Sequence, residues 1–93
     1  MTTQIFEYEH SPLATLDYGI DWNAYLITNE LIISSTWNID AGVSKSSEQI
    51  LNGVTSLFIT GGVINTIYKL VNIITTSQGR TDARTIKLSC SNK

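Results

Sequence analysis

Along most of the chain, apolar and polar residues alternate with a period of two, the spacing that gives a β-strand one inward and one outward face. The clearest stretch is Leu31 to Ile39, where Leu31, Ile33, Ser35, Trp37 and Ile39 alternate with Ile32, Ser34, Thr36 and Asn38. Its inner face is expected to carry Trp37. Upstream, Leu16, Tyr18 and Ile20 alternate with polar or small residues as a first strand. Asp21 then reads as an N-cap for one helical turn over residues 22–26, which would set Trp22 and Leu26 on one side and plug an end of the core.

Downstream, Asp40-Ala41-Gly42 has turn chemistry and Val43 to Ile50 reads as a weaker, polar strand near an edge. Asn52-Gly53 is a tight-hairpin signal leading into Val54 to Thr60, which Gly61-Gly62 closes. The longest strand runs from about Thr66 to Thr76, and Gln78-Gly79-Arg80 turns it into a last strand, Asp82 to Cys90. Short strands between Gly- and Asn-containing turns, with no long 3.6-residue period, predict an all-β sandwich or barrel of about seven strands. One phase of the period places Leu31, Ile33, Trp37, Leu57, Ile59, Tyr68, Leu70, Ile74, Ile86 and Leu88 in its core. Asn72 shares the face of Tyr68, Leu70 and Ile74, so it is expected buried and hydrogen-bonded.

The other face of the longest strand is also apolar, with Ile67, Val71 and Ile73 around Lys69. Tyr68 sits where an immunoglobulin-like sandwich carries an inward tyrosine near the start of its penultimate strand, which would turn Ile67, Val71 and Ile73 outward. Two readings stay open for that patch: a second layer supplied by the N-terminal residues or the Trp22 turn, or an interface with another subunit.

The chain has 93 residues, enough for one domain and too few for two. Residues 1–13 show no clean repeat and end near Pro12, so they form a candidate flexible arm carrying Ile5, Phe6 and Tyr8, ahead of a single domain over 14–93. Charged residues make up 15% and the net charge is −2, so no positive field exists to attract nucleic acid. Lys45, Lys69, Arg80, Arg84, Lys87 and Lys93 are scattered. A single cysteine excludes an intrachain disulfide and fits folding in a reducing cytosol. The first ten residues lack a basic leader and an apolar stretch, so no classical secretion route is expected, and the stretch Ile64 to Ile74 is too short and too interrupted to span a bilayer.

Candidate chemistry adds little. His10 is the single histidine, falls in the arm, and reads as a solvated loop residue without metal-ligand neighbours. Asp17 and Asp21 would stand roughly 13 Å apart on a strand, too far for shared acid–base work. Gly61-Gly62 precedes neither a lysine nor a helix, so it shapes a bend and cradles no phosphate. Ser34-Ser35 and Thr75-Thr76 lack a general base, and Cys90 shares the Ile86, Leu88 face as a small buried hydrophobe. No catalytic, cofactor or metal residues are expected. The Gly79-Arg80-Thr81-Asp82 turn reads as a local element in which Asp82 accepts backbone hydrogen bonds or pairs with Arg80 or Arg84; the alternative has Arg80 and Arg84 reaching a carboxylate on another protein.

The ordered blocks Asp17-Tyr18-x-x-Asp21-Trp22, Ile33-Ser34-Ser35-Thr36-Trp37, Gly61-Gly62, Tyr68-x-Leu70-x-Asn72-x-Ile74-Thr75-Thr76 and Gly79-Arg80-Thr81-Asp82 resemble the phage fiber-tail adaptor family over about residues 15 to 90. The resemblance implies an immunoglobulin-like β-sandwich and a non-enzymatic virion protein, made in the host bacterial cytoplasm, that joins tail or baseplate components to receptor-binding fibers. Its partners would be other tail, baseplate or fiber proteins and further copies of itself in a homo-oligomer. The family offers no catalytic residues to transfer. The alternative is a ligand-binding β-sandwich, with Trp22, Tyr25, Phe58 or Tyr8 stacking on sugar rings.

Overall fold

The computed structural model describes residues 5–91, so residues 1–4 of the expected arm lie outside the described residues. Seven strands follow one another: β1 (Ile5–His10), β2 (Thr15–Asp21), β3 (Ile32–Ile39), β4 (Val43–Leu51), β5 (Val54–Gly61), β6 (Ile67–Thr76) and β7 (Thr81–Cys90). They form two sheets, ordered β1-β7-β6-β3 and β2-β5-β4. All pairings are antiparallel except β1 with β7, which is parallel. The chain is an all-β, immunoglobulin-like sandwich, and the core lies where the inward phases of the two sheets meet.

Local chemistry sets the turns. Asn52 and Gly53 both take positive φ, 51° and 79°, the pair of left-handed residues that a two-residue hairpin needs to match strand twist. Over residues 22–26 the backbone makes one hydrogen-bonded turn and no helix: the N–H groups of Tyr25 and Leu26 both donate to the Trp22 carbonyl, at 2.8 and 3.1 Å. Asp21 caps it, its Oδ1 accepting the Asn23 N–H at 2.9 Å. Trp22 plugs that end and is fully buried.

Trp37, Leu57, Ile59, Leu70, Ile74, Ile86 and Leu88 are all essentially inaccessible to solvent. Each such side chain contributes about 1.5–3 kcal/mol relative to an exposed position. Leu31 and Ile33 are a correction to the expected core, since they are 68% and 63% exposed. The β3–β6 register shifts between Ile32 and Ser34, where a bulge adds one residue. The extra residue reverses the phase, so Ile32 packs on the core while Leu31 and Ile33 turn outward.

Tyr68 anchors the far end. Its hydroxyl accepts the Val63 backbone N–H at 2.9 Å, the corner bond of this fold class. Gly42 and Gly62 flank the ring: a Cβ at Gly42 would stand 2.8 Å from Tyr68 Cε1, and one at Gly62 would stand 3.3 Å from Tyr68 Cε2 and 2.4 Å from Cys90 Sγ. Both glycines have positive φ, so conformation and space select the same residue.

Candidate functional site

Strand alternation assembles an outer face on the β1-β7-β6-β3 sheet. The β6 residues opposite the core phase are Ile67, Lys69, Val71 and Ile73. Val71 pairs with Thr85 and Asn38, and Ile73 with Ala83 and Thr36, so the apolar row lies among small, β-branched or neutral neighbours. Ile67 is 61% exposed, while Val71 and Ile73 are half-buried by these neighbours. At the Ile67 end, Glu7, Lys87 and Lys69 occupy one register row across β1, β7 and β6. A shallow groove of about 400 Å³ lies beside that row, lined by Glu7, Tyr8, Glu9, Ile67, Lys87 and Ser89.

The N-terminal candidates do not cover the apolar row, although Tyr8 lines the groove beside Ile67. Residues 5–10 extend the sheet as β1 instead of lying across it, and Phe6, Tyr8 and His10 stand opposite the inward Ile86, Leu88 and Cys90. Phe6 packs against the core, and Tyr8 is partly exposed with its ring 5.5 Å from that of Tyr18. Of Ile5 only the backbone is described, paired with Thr85. Among the described residues, no strand or turn covers Ile67, Val71 and Ile73.

Arg80 and Arg84 are brought together, but over the chain's own residues. Arg80 forms a bidentate pair with Glu30, donates to the Tyr25 carbonyl at 3.0 Å, and lies 4.3 Å over the Tyr25 ring. Thr76 Oγ1 donates to the same carboxylate and Ile27 N–H to its other oxygen. Arg80 and these donors hold the Glu30 carboxyl down to about 2, from an ordinary 4.5. Arg84 lies 4.2 Å over the Trp22 ring and reaches the Asp21 carbonyl at 3.4 Å. Of the two roles expected for Asp82 it takes the backbone one, its Oδ1 accepting the neighbouring Ala83 N–H at 2.8 Å, while Arg80 pairs with Glu30, fifty positions away.

Asn72 is fully buried and joins both sheets. Its Oδ1 accepts from Trp22 Nε1 at 3.0 Å and from Thr55 Oγ1 at 2.6 Å, and its Nδ2 donates to Ser35 Oγ at 2.8 Å and the Thr36 carbonyl at 3.2 Å. His10 corrects the expectation of a solvated residue. It is 1% exposed because β1 docks on β7 and carries it between the sheets, where Nδ1 meets the Tyr18 hydroxyl at 2.7 Å. Burial lowers the His10 pKa and raises those of Tyr18 and Cys90, so all three are biased towards neutrality and serve as packing. Among the described residues, no group of three or more His, Cys, Asp or Glu side chains is placed to hold a metal ion.

Ile67, Val71 and Ile73 thus share the outer face of this sheet with Lys69, Lys87 and Glu7. The family model described as podophage GP4 fiber-tail adaptor protein gp77 matches residues 10–89. The chain belongs to that family. No curated protein matches it. Membership gives the domain a structural role in a phage tail, and the match runs across β2 to β7. The match begins at His10, so the adaptor's β1 is almost entirely outside it.

Proposed function

We propose that this domain is a non-enzymatic virion protein that joins tail or baseplate components to receptor-binding fibers, working as a homo-oligomer among other tail proteins. The observation that carries this reading is the outer face of β6, where Ile67, Val71 and Ile73 form an apolar row on a sheet too rigid to fold away. An apolar row flanked by charges of both signs, with no basic patch among the described residues, favours protein partners over nucleic acid. The ligand-binding alternative gains no support from the aromatics. Trp22 is buried, Tyr25 lies beneath Arg80, and Phe58 and Tyr8 belong to different sheets, so they offer no common stacking platform.

Ile67→Glu tests the reading, with Ile73→Thr as a milder change deeper in the row. Both variants are expected to melt close to the parent as isolated domains and to be lost from purified tails. Normal incorporation of both, with full fiber content, would overturn it.

A further inference from the structure

We propose that β1 is an exchangeable strand, and that two copies of this chain interlock by each laying residues 5–10 on the β7 edge of the other. The proposal rests on the homo-oligomer reading and deepens it by naming the contact.

β1 pairs with β7 alone, in six consecutive positions from Ile5↔Thr85 to His10↔Cys90. The slot that receives its inward side chains belongs to the rest of the molecule: Ile86, Leu88 and Cys90 of β7, and Tyr18 of β2. A second copy carries the same β1 and meets the same slot, so the packing that one chain gives up on opening is restored in the pair. The link is the four-residue segment 11–14, which crosses between sheets and holds itself by two bonds, Ala14 N–H to Ser11 O at 3.0 Å and Leu13 N–H to Ser11 Oγ at 3.3 Å. Leu13 is 98% exposed, and Pro12 biases Ser11 towards the extended backbone that a crossing strand needs. A short hinge keeps the strand close to its own edge while allowing it to reach a neighbour's, and an assembly that holds copies side by side raises their effective concentration.

His10 is the latch. Among the described side chains of β1 it alone is buried completely, and its Nε2 has no hydrogen-bond partner, although the Gly61 carbonyl lies near enough to favour the charged ring. The groups around it are the Tyr18 hydroxyl with Asp17 beside it on β2, Cys90 on β7, and Tyr68 of β6 beyond Cys90. A proton on His10 would therefore be a buried charge without a matched carboxylate. Opening becomes easier as pH falls below the imidazole's ordinary value of 6.5, because the released strand binds the proton first.

The test mixes two full-length chains in a Cys90→Ala background, one carrying Glu7→Cys and the other Lys87→Cys, which are register partners on the outer face. Exchange sets these two thiols side by side, so a disulfide yield above that of random collision reports β1 of one chain beside β7 of the other. The control replaces the second chain with Lys69→Cys, one strand further away. Incubation at rising concentration, followed by mild alkaline oxidation, is expected to give a covalent heterodimer severalfold above the control. Prior incubation below pH 6.5 should speed its appearance, and His10→Gln should remove that pH dependence. No heterodimer at any concentration, or an equal yield with Lys69→Cys, would overturn the proposal. Sedimentation of the same samples separates the two ideas: self-association without this cross-link removes exchange and keeps the homo-oligomer, whereas monomers throughout remove both.

Discussion

At the β6–β7 hairpin end, a buried carboxylate, two guanidinium groups, two aromatic rings and Thr76 form one cluster of hydrogen bonds and cation–π contacts that pins residues 22–30 to the sheets. At the opposite end, Tyr68, Cys90, His10 and Tyr18 close the sandwich with neutral rings, a thiol and two glycines, and His10 Nε2 and Ser91 Oγ have no partner. The first end depends on residues far apart in sequence and holds its geometry through charge-assisted bonds. The second depends on close fit, which permits little substitution but releases a strand with little electrostatic penalty. Asn72 lies between them and belongs to both sheets' bonding.

The strongest way to break this contrast is Asn72→Leu. The change leaves Ser35, the Thr36 carbonyl and one bond each of Trp22 and Thr55 without their partner, so stability should fall by about 3 kcal/mol. Urea denaturation with an unchanged m-value would measure it, and a silent substitution would show that the buried network is unnecessary. Gly62→Ala attacks the close-fit end, where a Cβ would overlap Cys90 Sγ at a positive φ. A loss of about 2 kcal/mol is expected in thermal melts, partly restored by adding Cys90→Ala. Tyr68→Phe removes only the corner bond to Val63 and should cost about 1 kcal/mol while leaving the ring in place.

Acid titration sharpens the comparison with the smallest effect. The Glu30 carboxyl is lowered to about 2 in the fold, so its stabilisation is complete above its ordinary 4.5 and lost as pH falls from there through 2. Arg80→Ala should flatten that limb of a melting-temperature profile. Asp21 is also lowered, through its bonds to Asn23, and adds a part that survives Arg80→Ala. His10 acts earlier, with stability declining below 6.5, and only His10→Gln should remove that decline.

Features carried by neighbouring residues were legible in the sequence. Alternation marked six of the seven strands, Asn52-Gly53 marked the hairpin, and the shared phase of Tyr68, Leu70, Asn72 and Ile74 set a polar amide among core positions. Features that need two distant segments were not. Ile33 looks inward by period alone, and only pairing with β6 inserts the bulge that turns it out. His10 ends a segment without a clean repeat, so nothing local shows that a parallel ladder buries it. Glu30 precedes an apolar run as an ordinary surface acid would, and its partner is found only when the β6–β7 turn closes above it. The outer row of β6 was visible as a second apolar phase, whereas the inward turn of Phe6 and Tyr8 followed from β1 lying in the plane of the sheet.

The parallel pairing of β1 and β7 has a mechanical consequence. Ile5 and Ser91 leave this ladder at opposite ends, so a pull between them runs along both strands. Hydrogen bonds lying across the direction of force are loaded together and must yield together, unlike a hairpin peeled open one rung at a time. If β1 is traded between two copies, the same six-position ladder becomes the joint between them, and tension pulling the pair apart would be resisted in shear.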